Sequence, residues 1–181
     1  GLVERDRPDP AELQMEVRHS IEQLRTLVDG SQAFDGTLAE LLGHIRHRID
    51  TRLRRQRIHM NWQNLADDGS TDLPVDAVAA LNLQHLMFEL CTNVIKHAGA
   101  VEVDVACDVS ATAEGLQELV IEFSDNGQHH GITAKPGDGS RSIDRRVTAL
   151  GGDYSLYFSA DGSWRYRLRF PLQHLLATAP A

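Results

Sequence analysis

Three stretches of this chain alternate apolar and polar residues with a period of two. That pattern commits a chain to a sheet with one covered face and one wet face. In the first stretch, Val101, Val103, Val105, Cys107 and Val109 interleave with Glu102, Asp104, Ala106 and Asp108. Near the end, Tyr154, Leu156 and Phe158 alternate, Asp161-Gly162 supplies turn chemistry, and Trp164, Tyr166, Leu168 and Phe170 interleave with three arginines. Strands are therefore expected over 101–109 and 117–124, with a closing hairpin from 154 to 170 and a short strand around Ile58, Met60 and Trp62.

The intervening segments carry helical periodicity. Leu13, Val17, Ile21, Leu24 and Val28 build one narrow apolar stripe over 11–29, of the width that suits a helical hairpin or a dimer seam. A second helix is expected over 37–56, opened by the capping-box pattern Thr37-Leu38-Ala39-Glu40. Pro74 marks the start of a third, over 75–98, which ends at Gly99. A fourth, over 140–150, stops at Gly151-Gly152, and residues 125–138 are glycine-rich and irregular. Strands interspersed with helices point to a mixed sheet with helices on one face.

Bulk properties exclude some classes. The 181 residues are 41% hydrophobic and 24% charged, an ordinary globular balance rather than a disordered one. A formal net charge of -8 argues against nucleic acid or anionic membrane as a general partner. The arginines at 46, 48, 52, 54, 55 and 57 read as a solvated helix face. Cys91 and Cys107 sit among apolar residues with no CxxC partner, as expected of reduced core thiols in the cytoplasm. No apolar run reaches bilayer length, and the polar start is expected to belong to a longer parent.

Three elements carry candidate chemistry. On the third helix, at about 100° per residue, Leu83, Met87, Leu90 and Val94 share one sector while Glu89, Asn93 and Lys96 share the opposite one. An amide oxygen can ligate Mg²⁺, a carboxylate can hold or activate a coordinated water, and a lysine can neutralise phosphate. Taken alone, the same face is also an ordinary solvated one. Next, Asp125 stands where a strand leaves the sheet, so it can accept a hydrogen bond from an exocyclic amine. Gly127, two positions on, lets a flat base approach the backbone, although a plain Asn-Gly turn has the same sequence. Finally, Gly137-Asp138-Gly139 stands immediately before a helix, where exposed backbone N–H groups favour phosphate; loop flexibility is the plainer reading. The pairs His44/His47 and His129/His130 lack zinc-helix spacing and read as surface or loop residues.

In order and spacing, this set resembles the nucleotide-binding domain of histidine kinases, within the wider group that includes gyrase and MutL. Glu89, Asn93, Lys96 and His97 look like the N box. Asp125 and Gly127 look like the start of the G1 box, and Gly137 and Gly139 with the helix to Gly152 look like the G2 box. Gly162-Ser163 takes the place of a Gly-Thr pair near the adenine. The resemblance runs over about 73–172. Upstream, EVRHSIEQLRTLVDG and LAELLGHIRHRIDTRL are similar to the second dimerisation helix and linker of NarX- and DesK-like sensor kinases. That family's His-Asp or His-Glu phosphoacceptor motif is not matched, since His19 is followed by Ser20.

The resemblance implies an α+β, two-layer α/β sandwich of the histidine kinase and gyrase ATPase type (the Bergerat fold), with an N-terminal helical segment. Its divisions would be 1–30, a remnant of a dimerisation helix; 31–57, a linker helix; 58–174, the ATP-binding catalytic domain; and 175–181, a flexible tail. The implied cofactors are ATP and Mg²⁺. Asp125 would bind the adenine amino group, with Gly127, Gly131, His97 and Ser163 also at the nucleotide. Asn93 would ligate Mg²⁺, Lys96 would contact phosphate, and Gly137 and Gly139 would offer backbone donors from a mobile lid. Glu89 would position a water or act as base for an attacking histidine supplied from outside the chain. The implied partners are an aspartate-bearing response regulator and a phosphoacceptor helix of the same or a partner protomer. The parent is expected to be a dimeric inner-membrane sensor with this part in the cytoplasm. The boxes depart from the family in two places: Gln128, His129 and His130 precede Gly131, and Ser140 replaces the usual leucine. An anti-sigma-type serine kinase and a regulatory nucleotide-binding module with a degenerate lid are the competing readings.

Overall fold

The computed structural model describes residues 34–64, 71–127, 138–158 and 164–177. The helix expected over 11–29, with His19, lies outside them.

Helix α1 (Leu38–Arg55) opens on the capping box: the Thr37 hydroxyl accepts from Glu40 N at 3.3 Å, and Glu40 Oε2 accepts from Thr37 N at 2.9 Å. Leu38, the pair Leu41 and Leu42, then Ile45, Ile49 and Leu53 fall at helical spacing on one side, and all are buried. They belong to the same hydrophobic cluster as the sheet residues, in a compact unit that begins at Phe34. The segment expected as a linker over 31–57 thus contributes a structural layer of the domain, because a six-residue apolar stripe needs a partner surface. The helix ends in a Schellman turn, with Ile58 N donating to Leu53 O and Arg57 N to Arg54 O, each at 3.0 Å.

Five strands follow: β1 (His59–Asn64), β2 (Glu102–Ala111), β3 (Gln117–Asp125), β4 (Asp153–Phe158) and β5 (Trp164–Pro171). They form one sheet in the order β1-β2-β3-β5-β4, with β1 parallel to β2 and every other pair antiparallel. The register aligns Met60 with Val103, Val105 with Phe123, and Phe123 with Tyr166, so the apolar half of each alternation falls on one face. The other face carries Asp104 and Glu122 beside Arg165, Arg167 and Arg169. There Arg169 reaches Asp153 at 2.7 Å and Arg167 reaches Glu122 at 3.7 Å. Both pairs are well exposed, and their main effect is to keep that face wet.

Helix α2 (Ala77–Asn93) is capped by Asp76, whose Oδ1 accepts from Val78 N and Ala79 N, both at 2.9 Å. Pro74, expected at the helix start, lies outside the helix in an isolated bridge with Thr37. Its carbonyl accepts from Ala177 N at 2.9 Å. A carboxylate can satisfy the orphan N–H groups of the first turn, which proline cannot do. Helix α3 (Asp138–Ala149) packs against α2, and a single turn, α4 (Leu172–Leu175), closes the chain. Residues 175–177, expected within a flexible tail, are held: Leu175 is fully buried, and Leu176 bridges Val75. Among the described residues, no helix is long and apolar enough to cross a membrane.

Candidate functional site

The helical periodicity of α2 separates its two faces as the sequence indicates. Leu83, Leu86, Met87 and Leu90 are buried, while Glu89 and Asn93 are half-buried one turn apart. Among the described residues, neither the Glu89 nor the Asn93 side chain makes a hydrogen bond with another. Beyond Asn93 the helix does not continue in α register. Val94–Ala98 form one π-helical turn, closed by Gly99 at φ 60°. This turn buries Val94 and Ala98 and leaves Lys96 and His97 exposed. Single π turns of this kind occur often at functional sites.

Asp125, the last residue of β3, is the one buried charged residue among the described residues, at 6% exposure. Its Oδ1 accepts from Gly127 N at 2.9 Å, which curls the chain as it leaves the sheet. A close approach within the chain accounts for a glycine at position 127. A Cβ there would run into the carbonyl and the Cβ of Ala98. The two backbones meet because no side chain separates them. Between these residues, Asn126 turns its amide oxygen back onto β2 and accepts from Val101 N and Glu102 N, both at 3.0 Å.

A tyrosine pair extends the site across the sheet. Tyr166 lies on the covered face of β5, and burial raises its phenol above 10.0, with the charge of Asp125 adding to the rise. Its ring centroid is 6.2 Å from that of Tyr154. Tyr154 donates to Asp144 of α3 at 2.9 Å and is pushed up to about 12, first by burial and then by that hydrogen bond. These tyrosines were visible in the sequence only as apolar positions of an alternating pattern. Asn126 was visible only as part of a turn.

Gly139 falls inside the first turn of α3 rather than before it, so its amide belongs to the four N–H groups that a helix start leaves without an intrahelical acceptor. Gly131, Gly137, Ser163, His129 and His130 lie outside the described residues. Among the described residues, no three or more His, Cys, Asp or Glu side chains gather as a metal cage. A divalent ion beside Asn93 would take most of its ligands from a bound substrate and water. The thiols are not part of the site. Cys91 and Cys107 are buried in the core, and burial pushes them up to about 11 and about 12, with the charge of Arg52 pulling Cys91 partly back.

No protein-family model matches the sequence, and no curated protein matches it. Solved structures do match. The histidine kinase domain of the Erythrobacter litoralis EL346 blue-light activated histidine kinase is 22% identical at a TM-score of 0.56, covering 78% of this chain and 65% of that one. The Acinetobacter baumannii histidine kinase AdeS is 15% identical at 0.56, covering 91% and 86%. The catalytic domain of histidine kinase ThkA is 12% identical at 0.56, covering 76% and 95%. Against the longer EL346 kinase structure, the chain spans only 42% of the length. The fold is therefore the two-layer α/β sandwich of histidine kinase ATPase domains, as the sequence resemblance implied.

Proposed function

We propose that this chain is the ATP-binding catalytic part of a two-component sensor histidine kinase of the NarX- and DesK-like kind. One observation carries the reading. The half-buried side chains of Glu89 and Asn93 stand on a helix whose end is packed, through Ala98, onto the turn that follows buried Asp125. A polar phosphate-facing surface and a buried acceptor for an exocyclic amine are thereby fixed to one another.

In this reading Asp125 accepts from the adenine amino group in a nearly water-free position, where the hydrogen bond discriminates strongly against bases that lack the donor. Asn93 offers its amide oxygen to a Mg²⁺ ion, which would neutralise charge on the phosphates of the substrate ATP. Glu89 holds a water or accepts the proton of the attacking histidine. Exposed Lys96 meets phosphate from solvent, and the first-turn amides of α3, with that of Gly139, present donors to it. Such a site works by positioning and charge neutralisation, which suits phosphoryl transfer. The attacking nitrogen comes from a phosphoacceptor helix of the same or a partner protomer, and an aspartate of a response regulator receives the phosphoryl group. The parent is a dimeric membrane sensor with this part on the cytoplasmic side.

Isothermal titration with ATP, ADP and Mg²⁺ tests this first. Binding that Asp125→Asn abolishes is expected, and no binding by the unaltered chain sinks the reading. The upstream helix, added in trans with labelled ATP, should then acquire acid-labile phosphate; nucleotide binding without that label would favour a regulatory module instead.

A further inference from the structure

Arg146 projects from α3 onto the polar face of α2. Its Nη1 lies 3.2 Å from Nδ1 of His85, a residue one helical turn before Glu89 and two before Asn93. The guanidinium is half-buried, and its Nε is fully enclosed with no hydrogen-bond partner. Burying a cation this way is costly unless a negative charge stands near. Burial and the neighbouring Arg145 weaken its hold on the proton, and the carboxylate of Glu89 opposes them. Glu89 follows His85 by one turn on the same face of α2, so it stands on the side of the helix that Arg146 meets. Arg146 and Glu89 form no direct ion pair among the described residues.

We propose that Arg146 is a positioning residue of the nucleotide site, held against α2 by His85 and supplying the positive charge that offsets the Glu89 carboxylate beside a bound polyphosphate. The inference rests on the nucleotide reading above and names how that site tolerates a carboxylate next to phosphate. Without Arg146, Glu89 would repel the triphosphate. With it, the polar face of α2 is electrically neutral at that turn, and Glu89 keeps a free oxygen for a water or a histidine proton. The effect acts on charge, so it should discriminate between ligands that carry phosphates and those that do not.

The test is a double-mutant cycle read by isothermal titration, using Mg-ATP and adenosine as ligands. Arg146→Met should weaken Mg-ATP about 10-fold and adenosine by less than about 2-fold, and Arg146→Lys should stay within about 3-fold of the unaltered chain for both. In the Glu89→Gln background, Arg146→Met should change Mg-ATP affinity by less than about 2-fold, since the repulsive charge is gone. Arg146→Gln provides a second charge-free variant, and an unfolding curve for each protein confirms that it is folded. Equal losses for both ligands, or additive effects of the two substitutions, would overturn the inference while leaving the nucleotide reading intact. Failure of the unaltered chain to bind either ligand would overturn both.

Discussion

Gly127 lies against the carbonyl of Ala98 so closely that a side chain on Gly127 has nowhere to go. Gly127 follows Asp125 by two residues, and Ala98 follows Asn93 by five, so this single contact joins the end of β3 to the end of α2. Gly127→Ala should cost about 1–3 kcal/mol of stability, the usual range for an overpacked site. It should weaken adenosine and ATP binding together, because the acceptor and the phosphate-facing helix separate as a unit. Urea unfolding and titration on the same protein check both; unchanged values in both would show that the contact is dispensable.

Two helices end in the same turn with different residues. α1 places Arg57 at φ 61°, and α3 places Gly151 at φ 64°, with Gly152 N donating to Val147 O at 3.0 Å. A left-handed residue with a Cβ costs about 1–2 kcal/mol relative to glycine. After the unfolded-state entropy of glycine is subtracted, Arg57→Gly should stabilise the chain by about 0.5–1 kcal/mol. Gly151→Ala should destabilise by more than that, because the ring of His174 fills the space a Cβ would need. Thermal unfolding of the two variants should therefore shift in opposite directions.

Asn126 holds β2 to the turn after β3 by accepting from two adjacent backbone amides. The residue is exposed, and water can replace part of what it provides. Asn126→Ala should cost about 1 kcal/mol. The clearer signal is local: hydrogen exchange at Val101 and Glu102 should accelerate while exchange in the centre of β3 is unaffected. Exchange unchanged at both amides would contradict the observed geometry.

The buried thiols make stability fall in alkali. Their folded values of about 11 and about 12 stand above the ordinary 9.0, so the unfolded chain ionises first. The stabilisation is fully present below pH 9 and is lost as pH rises from there toward about 11 for Cys91 and about 12 for Cys107, by at most about 1.4 kcal/mol per pH unit for each thiol. Cys107→Ala should flatten that decline when urea midpoints are compared at pH 8 and pH 10. Below pH 9, both thiols should react with a disulfide reagent only at the rate of unfolding.

Much of the fold follows from local periodicity. The alternation at 101–109 and 154–170 places Val103, Val105, Leu168 and Phe170 in the core and Arg167 and Arg169 of β5 in water, whatever the sheet order turns out to be. The Thr37–Glu40 box and the glycines at 99 and 151 mark helix ends through chemistry confined to a few residues. The candidate residues Glu89, Asn93 and Asp125 were readable because helix spacing and the end of a strand are also local.

What the sequence could not determine depends on residues that meet only when the chain is folded. The incorporation of α1 into the core, the packing of Ala98 against Gly127 and the anchoring of residues 175–177 onto Pro74 and Val75 each depend on partner surfaces supplied by distant segments. Arg146 and His85 are 61 residues apart, and nothing in the spacing of either helix shows that they touch. Period and capping act over one or two turns of chain. Close approach, charge balance and the loss of water act through space, so the tertiary structure alone decided them.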